Sequence, residues 1–160
     1  WGFGPKGASR TCSHNVQYWR NLPYLGFGAG AHGYASGVRT ANVRGIKAYI
    51  QQVNTNTGLD FPAGPAVETA IRIDAWTAMQ EHMMIGLRLI NEGVSDSSFR
   101  QRYGVGLKQA FSKQIAGLEE GGLVEWSSGG DVLRLTQHGW LLGNQVFSEF
   151  IDNPQPEWLS

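Results

Sequence analysis

Cysteine is nearly missing from this 160-residue chain, where Cys12 stands alone. A single thiol excludes an internal disulfide and any self-contained multi-cysteine zinc or iron–sulfur site. It also fits a reducing, cytoplasmic setting. Net charge is missing too: 13 Lys plus Arg balance 13 Asp plus Glu, so nothing draws the chain as a whole to phosphate backbones or acidic membranes. No apolar run approaches the ~18 residues of a membrane-spanning helix, and the first residues lack the basic and apolar regions of a signal peptide. Serine, histidine and acidic residues are present, but no nucleophile-elbow sequence supports a hydrolase triad. The chain opens on Trp1 inside glycine-rich sequence, not on Met, and is expected to be a piece of a longer protein.

What is present is glycine and apolar residues. With 22 Gly and 41% hydrophobic content, the chain can bury a core for one ordinary domain or two small lobes. Leu22 to Phe27 predicts a short buried strand ahead of the glycines. Gly45 to Val53 predicts a helix with Ile46, Tyr49, Ile50 and Val53 on one side. The polar and Pro/Gly stretch from Asn54 to Ala66 is the clearest linker. It predicts a first lobe over 1–58, a linker over 59–66 and a second lobe over 67–160.

In the second lobe, Ile73, Trp76, Met79, Met83, Leu87 and Ile90 recur at spacings of three and four, predicting an amphipathic helix from about Ile71 to Asn91. Ser95 is a candidate N-cap for a short helix ending near Tyr103 and Gly104. Leu107, Phe111, Ile115 and Leu118 define another, which stops at Gly121 and Gly122. Leu123 to Trp126 and Val132 to Leu135 flank a Ser/Gly/Asp turn, a hairpin signal. Thr136 then caps a final helix carrying Leu141, Leu142, Val146, Phe147 and Phe150. The pattern is α+β, and the second lobe reads as winged-helix-like. Its charge argues against nucleic acid as a partner, because Lys108 and Lys113 are answered by Glu119 and Glu120 and Arg134 is the wing's lone cation.

Two short segments carry candidate chemistry. His14, Asn15, Val16, Gln17, Tyr18 and Trp19 set an imidazole beside a carboxamide and two large rings. An imidazole can ligate haem iron, Asn15 could orient its other nitrogen, and Tyr18 and Trp19 offer flat walls for a macrocycle. The same residues also read as a hydrogen-bonded core histidine among packing aromatics. Gly28, Ala29, Gly30, Ala31, His32 and Gly33 spell GxGxxG, but Tyr34 to Val43 continues with Ser36, Gly37 and β-branched residues and opens no helix to receive a pyrophosphate. The glycines read instead as a place where another backbone or a ligand approaches closely. His82 and His138 have no ligand-like partner at helical spacing and read as structural or solvent-facing. Arg88, Arg100 and Arg102 are candidates to hold a substrate carboxylate, or simply pair with acidic neighbours.

Taken together, HNxxYW at His14 to Trp19, LGFGAGAHGY at Leu25 to Tyr34, EHMMIGLRL at Glu81 to Leu89, EGVS at Glu92 to Ser95 and LRLTQHGWLLGNQVFSEF up to Phe150 resemble the HemW family of radical SAM haem chaperones. The resemblance covers nearly the whole chain. It implies a partial β/α radical SAM barrel followed by a helical HemN C-terminal domain, with S-adenosylmethionine and an iron–sulfur cluster in the parent protein. The cluster's CxxxCxxC ligands are not in this chain, and Cys12 does not match one of them, so the chain alone is not expected to cleave S-adenosylmethionine. The resemblance further implies haem binding by His14, Asn15, Tyr18 and Trp19, with His14 as the metal ligand. It assigns Gly28, Gly30, Ala31 and His32 to a wall facing the cofactor, and implies haem-acceptor proteins and the rest of the barrel as partners. The alternative within the wider family is an oxygen-independent coproporphyrinogen III oxidase. A winged-helix nucleic-acid module is the third reading.

Overall fold

The computed structural model describes residues 20–56 and 60–159. It divides into two compact units, one spanning Leu22–Asp74 and the other built from Ala75 onward together with Arg20 and Asn21. Cys12 and the HNxxYW residues lie outside the described residues.

In the first unit, β1 (His32–Ala35) and β2 (Val38–Asn42) form an antiparallel hairpin, with Ala35 opposite Val38. The two residues between them, Ser36 and Gly37, both take positive φ (52° and 71°), as a two-residue hairpin turn of right-handed twist requires. Helix α1 (Ile46–Thr55) follows, and β3 (Val67–Arg72) then pairs antiparallel with β2, giving the order β1-β2-β3. No parallel pair, and so no β/α-barrel unit, occurs among the described strands. The strand expected at Leu22 to Phe27 reduces to a single bridge, in which Tyr24 and Tyr34 exchange backbone hydrogen bonds of 2.7 and 2.8 Å. Leu22, Leu25 and Phe27 are exposed, Phe27 by 83%. The segment bends away because Gly26 lies against the His32 backbone and Gly28 takes a φ of 109°.

Helix α1 forms where the apolar spacing predicts it. Its stripe is nevertheless not buried within this unit, since Ile46, Ile50 and Val53 are all exposed. The division between the units falls after Asp74, later than the 59–66 linker, because β3 is hydrogen-bonded to β2 along its length. Ile71 is therefore an exposed strand residue and does not open the next helix.

The second unit begins with α2 (Ala75–Gly86), shorter at both ends than the periodicity predicts. Trp76, Met79 and Met83 are buried as expected, and Leu87 stays in the core although the helix has ended. β4 (Val94–Ser95) leads into α3 (Asp96–Tyr103), where the Ser95 hydroxyl accepts the Ser98 N–H at 3.1 Å. Gly104 closes that helix at a φ of 80°, the left-handed conformation glycine adopts without strain.

The next predicted helix is two, α4 (Leu107–Ala110) and α5 (Ser112–Glu120), separated by Phe111 at φ −129° and ψ 38°. The break seats the fully buried Phe111 ring against Trp76 (5.0 Å between centroids), Phe150 (5.3 Å) and Phe99 (6.3 Å). Aromatic pairs at such distances favour one packing arrangement over others. β5 (Val124–Trp126) and β6 (Val132–Leu135) form the expected hairpin, and β4 joins it in the order β4-β6-β5. The Thr136 hydroxyl accepts the Gly139 N–H at 3.0 Å and caps α6 (Gln137–Leu141). The single closing helix of the sequence reading is broken at Leu142, and α7 (Gly143–Ser148) completes the core with Val146 and Phe147.

Candidate functional site

Of the residues singled out from sequence, His14, Asn15, Tyr18 and Trp19 lie outside the described residues. Gly28, Gly30, Ala31 and His32 lie together where the glycine loop runs into β1.

The loop is held by two side chains that sequence reasoning did not pick out. The amide of Asn42, only 7% exposed, donates to the carbonyls of Gly26 (3.2 Å) and Gly28 (3.0 Å). The Tyr49 hydroxyl on α1 accepts the Gly28 N–H at 3.0 Å. The Gly30 N–H donates to Val43 and the Ala31 N–H to Gly28, while Ala31 accepts from the Asn42 N–H at 2.9 Å. Asn42 can reach the loop because the β2–β3 register shifts between Ala41 and Asn42, and such a bulge re-aims a side chain. An Asn at the end of a β-branched strand is the one local signal that could have pointed to it.

These bonds limit what the loop offers a ligand. The N–H groups of Gly28, Gly30 and Ala31 are all satisfied within the chain, so the loop is not a ready-made anion nest of the kind free amides make. It provides a close backbone surface, with the exposed His32 side chain beside it. A cleft of about 280 Å³ opens next to the loop, lined by Leu25, Phe27, Asn42, Tyr49 and the Phe61–Val67 segment. Its wall is the residues just before Gly28; Gly28, Gly30, Ala31 and His32 do not line it.

The second unit uses its polar groups mainly for structure. Asp131, at the end of the β5–β6 loop, accepts the Ser97 N–H (2.9 Å) and the hydroxyls of Ser95 (2.9 Å) and Ser97 (3.0 Å). Those bonds hold its carboxyl below the usual 3.8, as donors to a carboxylate do. His82 packs edge-on against Phe99 and Tyr103 at 5.4 and 5.7 Å. Burial, with a smaller push from the Arg102 charge, lowers its pKa from 6.5 to about 4. Tyr103 donates to the Ala78 carbonyl at 3.1 Å, which leaves its oxygen to accept from His82 Nδ1 at 3.4 Å. His82 is thus a neutral packing residue, as the sequence reading had it, and His138 is exposed.

The arginines divide. Arg100 pairs with Asp96 at 3.2 Å, and Arg102 donates to the Asn21 carbonyl at 3.0 Å. Arg88 lies over the Phe147 ring, 4.4 Å from its centroid. Among the described residues no group of three or more His, Cys, Asp or Glu side chains is placed to hold a metal ion. An iron–sulfur cluster needs several thiolates, and one cysteine does not supply them. No helix among the described residues is long and apolar enough to cross a membrane.

Comparison with known proteins fits this geometry. The HemN C-terminal domain model matches residues 73–142, starting close to where the second unit begins. The heme chaperone HemW of Bacillus subtilis is 39% identical over 144 residues, covering 90% of this chain and 35% of that protein. HemW of Lactococcus lactis is 28% identical over 138 residues, covering 86% of this chain and 33% of its own. HemW of Synechocystis is 38% identical over 80 residues, covering 49% of this chain and 18% of its own. The chain thus spans about a third of the length of the first two relatives. A solved structure described as coproporphyrinogen III oxidase (HemN) from Escherichia coli, a radical SAM enzyme, superposes on 82% of this chain and 29% of that one, with a TM-score of 0.58 at 21% identity. That likeness is one of fold. The chain carries a HemN C-terminal domain over residues 73–142 and is HemW-like along nearly all of its length.

Proposed function

We propose that this chain takes part in binding haem and delivering it to acceptor proteins, as the name heme chaperone says of its relatives. The observation that carries the reading is 39% identity to such a protein over 90% of the chain. In this reading His14 would ligate the haem iron, Asn15 would orient its second ring nitrogen, and Tyr18 and Trp19 would wall the macrocycle. S-adenosylmethionine and an iron–sulfur cluster belong to the longer protein, with the Gly28 to His32 surface turned towards them. In the same reading residues 1–58 complete the β/α barrel of the longer protein as its C-terminal part. The apolar face of α1 supports this, because Ile46, Ile50 and Val53 offer the rest of such a barrel something to cover. The α3, α4–α5 and β5–β6 arrangement supports a winged-helix-like lobe that does not read nucleic acid, since Arg134 is paired to Glu125 and Lys108 lies over Trp126.

The test is haem titration of wild type and His14→Ala in the longest protein that contains this chain. The variant is expected to lose the wild-type Soret position and bind more weakly. An unchanged spectrum and affinity would remove His14 from the site. The fold likeness to a coproporphyrinogen III oxidase supports a second reading, oxidative decarboxylation of a porphyrinogen. Anaerobic turnover of coproporphyrinogen III by the reconstituted longer protein would favour it over haem delivery.

A further inference from the structure

A second cleft, of about 360 Å³, lies in the Ala75 unit, far along the sequence from both segments discussed above. It is lined by Arg88, Ile90, Trp140, Leu141, Asn144 and Phe147, among others. Its composition is unusual for idle surface. Trp140 is 49% and Leu141 82% exposed, whereas the Phe147 ring beneath is nearly buried. Among the described residues Arg88 is the one ionisable residue in the lining. Its guanidinium rests on the Phe147 ring, which holds the fork in place and leaves its N–H edge for another partner. No carboxylate among the described residues pairs with it.

These features select a ligand class. A single cation amid apolar walls is poorly matched to a phosphate or a nucleic acid, which call for several positive groups. A wholly apolar ligand would bury the guanidinium without satisfying it. The chemistry that satisfies both halves is a carboxylate on an apolar body, with its charge on the Arg88 fork and its body against Trp140 and Leu141. We propose that this cleft binds such carboxylates and that it receives the propionate edge of a tetrapyrrole. The carboxylate assignment stands on the cleft alone; the tetrapyrrole rests on the haem reading above.

The probe that separates the two is protoporphyrin IX, which has no iron for His14 to ligate. The intact chain is titrated with it, following porphyrin fluorescence and quenching of tryptophan, in parallel with its dimethyl ester and with 2-naphthoate. Wild type is expected to bind the diacid saturably. Arg88→Met and esterification are each expected to weaken binding roughly tenfold or more, and the ester is expected to be indifferent to Arg88→Met. Arg88→Lys, which keeps the charge but not the fork, should fall between. A Trp140→Phe variant reports whether the quenched ring is the one in the cleft, and thermal melts show that each variant is folded. Equal binding of diacid and ester, no effect of Arg88→Met in a folded variant, or no saturable binding of any probe would overturn the proposal. Binding of 2-naphthoate without the porphyrin would overturn the tetrapyrrole assignment. The haem Soret position in His14→Ala and metal-free porphyrin binding in Arg88→Met are different readouts, so failure of the iron-ligand reading and failure of this one are seen separately.

Discussion

The side-chain amide of Asn42 donates to the carbonyl of Gly28 at 3.0 Å and at the same time to that of Gly26 at 3.2 Å, tying the glycine loop to the bulged end of β2. Asn42→Ala removes the side-chain donor of the Gly26 carbonyl and one of the two donors of the Gly28 carbonyl, which keeps the Ala31 N–H, at a cost of about 1–3 kcal/mol. Asn42→Asp is expected to be at least as harmful, because a carboxylate has no hydrogen to give and repels both carbonyls. Denaturant unfolding measures the loss. Amide exchange at Gly28, Gly30 and Ala31 should quicken in both variants, and unchanged exchange there would show that Asn42 does not hold the loop.

Gly26 is required by space. A Cβ there meets the carbonyl oxygen of His32 and its carbon, both backbone atoms that cannot swing aside. Gly26→Ala is expected to destabilise the Leu22–Asp74 unit by about 1–3 kcal/mol, read by chemical denaturation. Gly129→Ala serves as the control, since no atom of the described residues lies within 4 Å of its Cβ position, and it should unfold like wild type.

His82 should make stability fall with acid over a defined window. Its folded pKa of about 4 lies below the ordinary 6.5, so between those values the unfolded chain binds a proton that the folded chain does not. Stability from this group is therefore full above about pH 6.5 and is lost progressively down to about 4, by at most about 3 kcal/mol. His82→Phe, which keeps a ring against Phe99 and Tyr103, is expected to flatten melting temperature against pH across that interval. An unchanged slope would assign the acid sensitivity to another group.

Asp131 acts lower. Its folded pKa is depressed below 3.8 by the bonds from Ser95 and Ser97, so its contribution is present above about pH 3.8 and disappears as pH falls through the folded value. Asp131→Asn should reduce the melting temperature at neutral pH and shrink the difference from wild type below that range. A gap that persists under strong acid would mean that the carboxylate charge is not what matters there.

Much of the second unit was legible because its signals are local. Ser95, Gly104 and Thr136 sit where they were read, since a cap is decided by a hydroxyl or a left-handed residue within three or four positions of the helix end. Breaks at Phe111 and Leu142 were not legible, because the apolar period continues through both. They follow from seating large rings in one core, which no short window contains. The hairpin at Ser36 and Gly37 was missed although a Ser-Gly pair marks turns, and reading Tyr34 to Val43 as one continuing segment concealed it.

By itself the sequence determined the α+β composition, the absence of thiolates for a cluster, the capped elements of the HemN C-terminal domain and the resemblance to haem-handling proteins, because each depends on residue type at short spacing. Only the tertiary structure decided that Asn42 and Tyr49 consume the glycine loop's hydrogen bonds, that the strand Val67–Arg72 belongs with the hairpin before it, and that Arg88 rests on Phe147 beside an exposed Trp140. The reason is separation along the chain: Gly28 and Tyr49 are 21 residues apart, and pairing over such distances is set by how whole elements pack, which short-range preference does not encode.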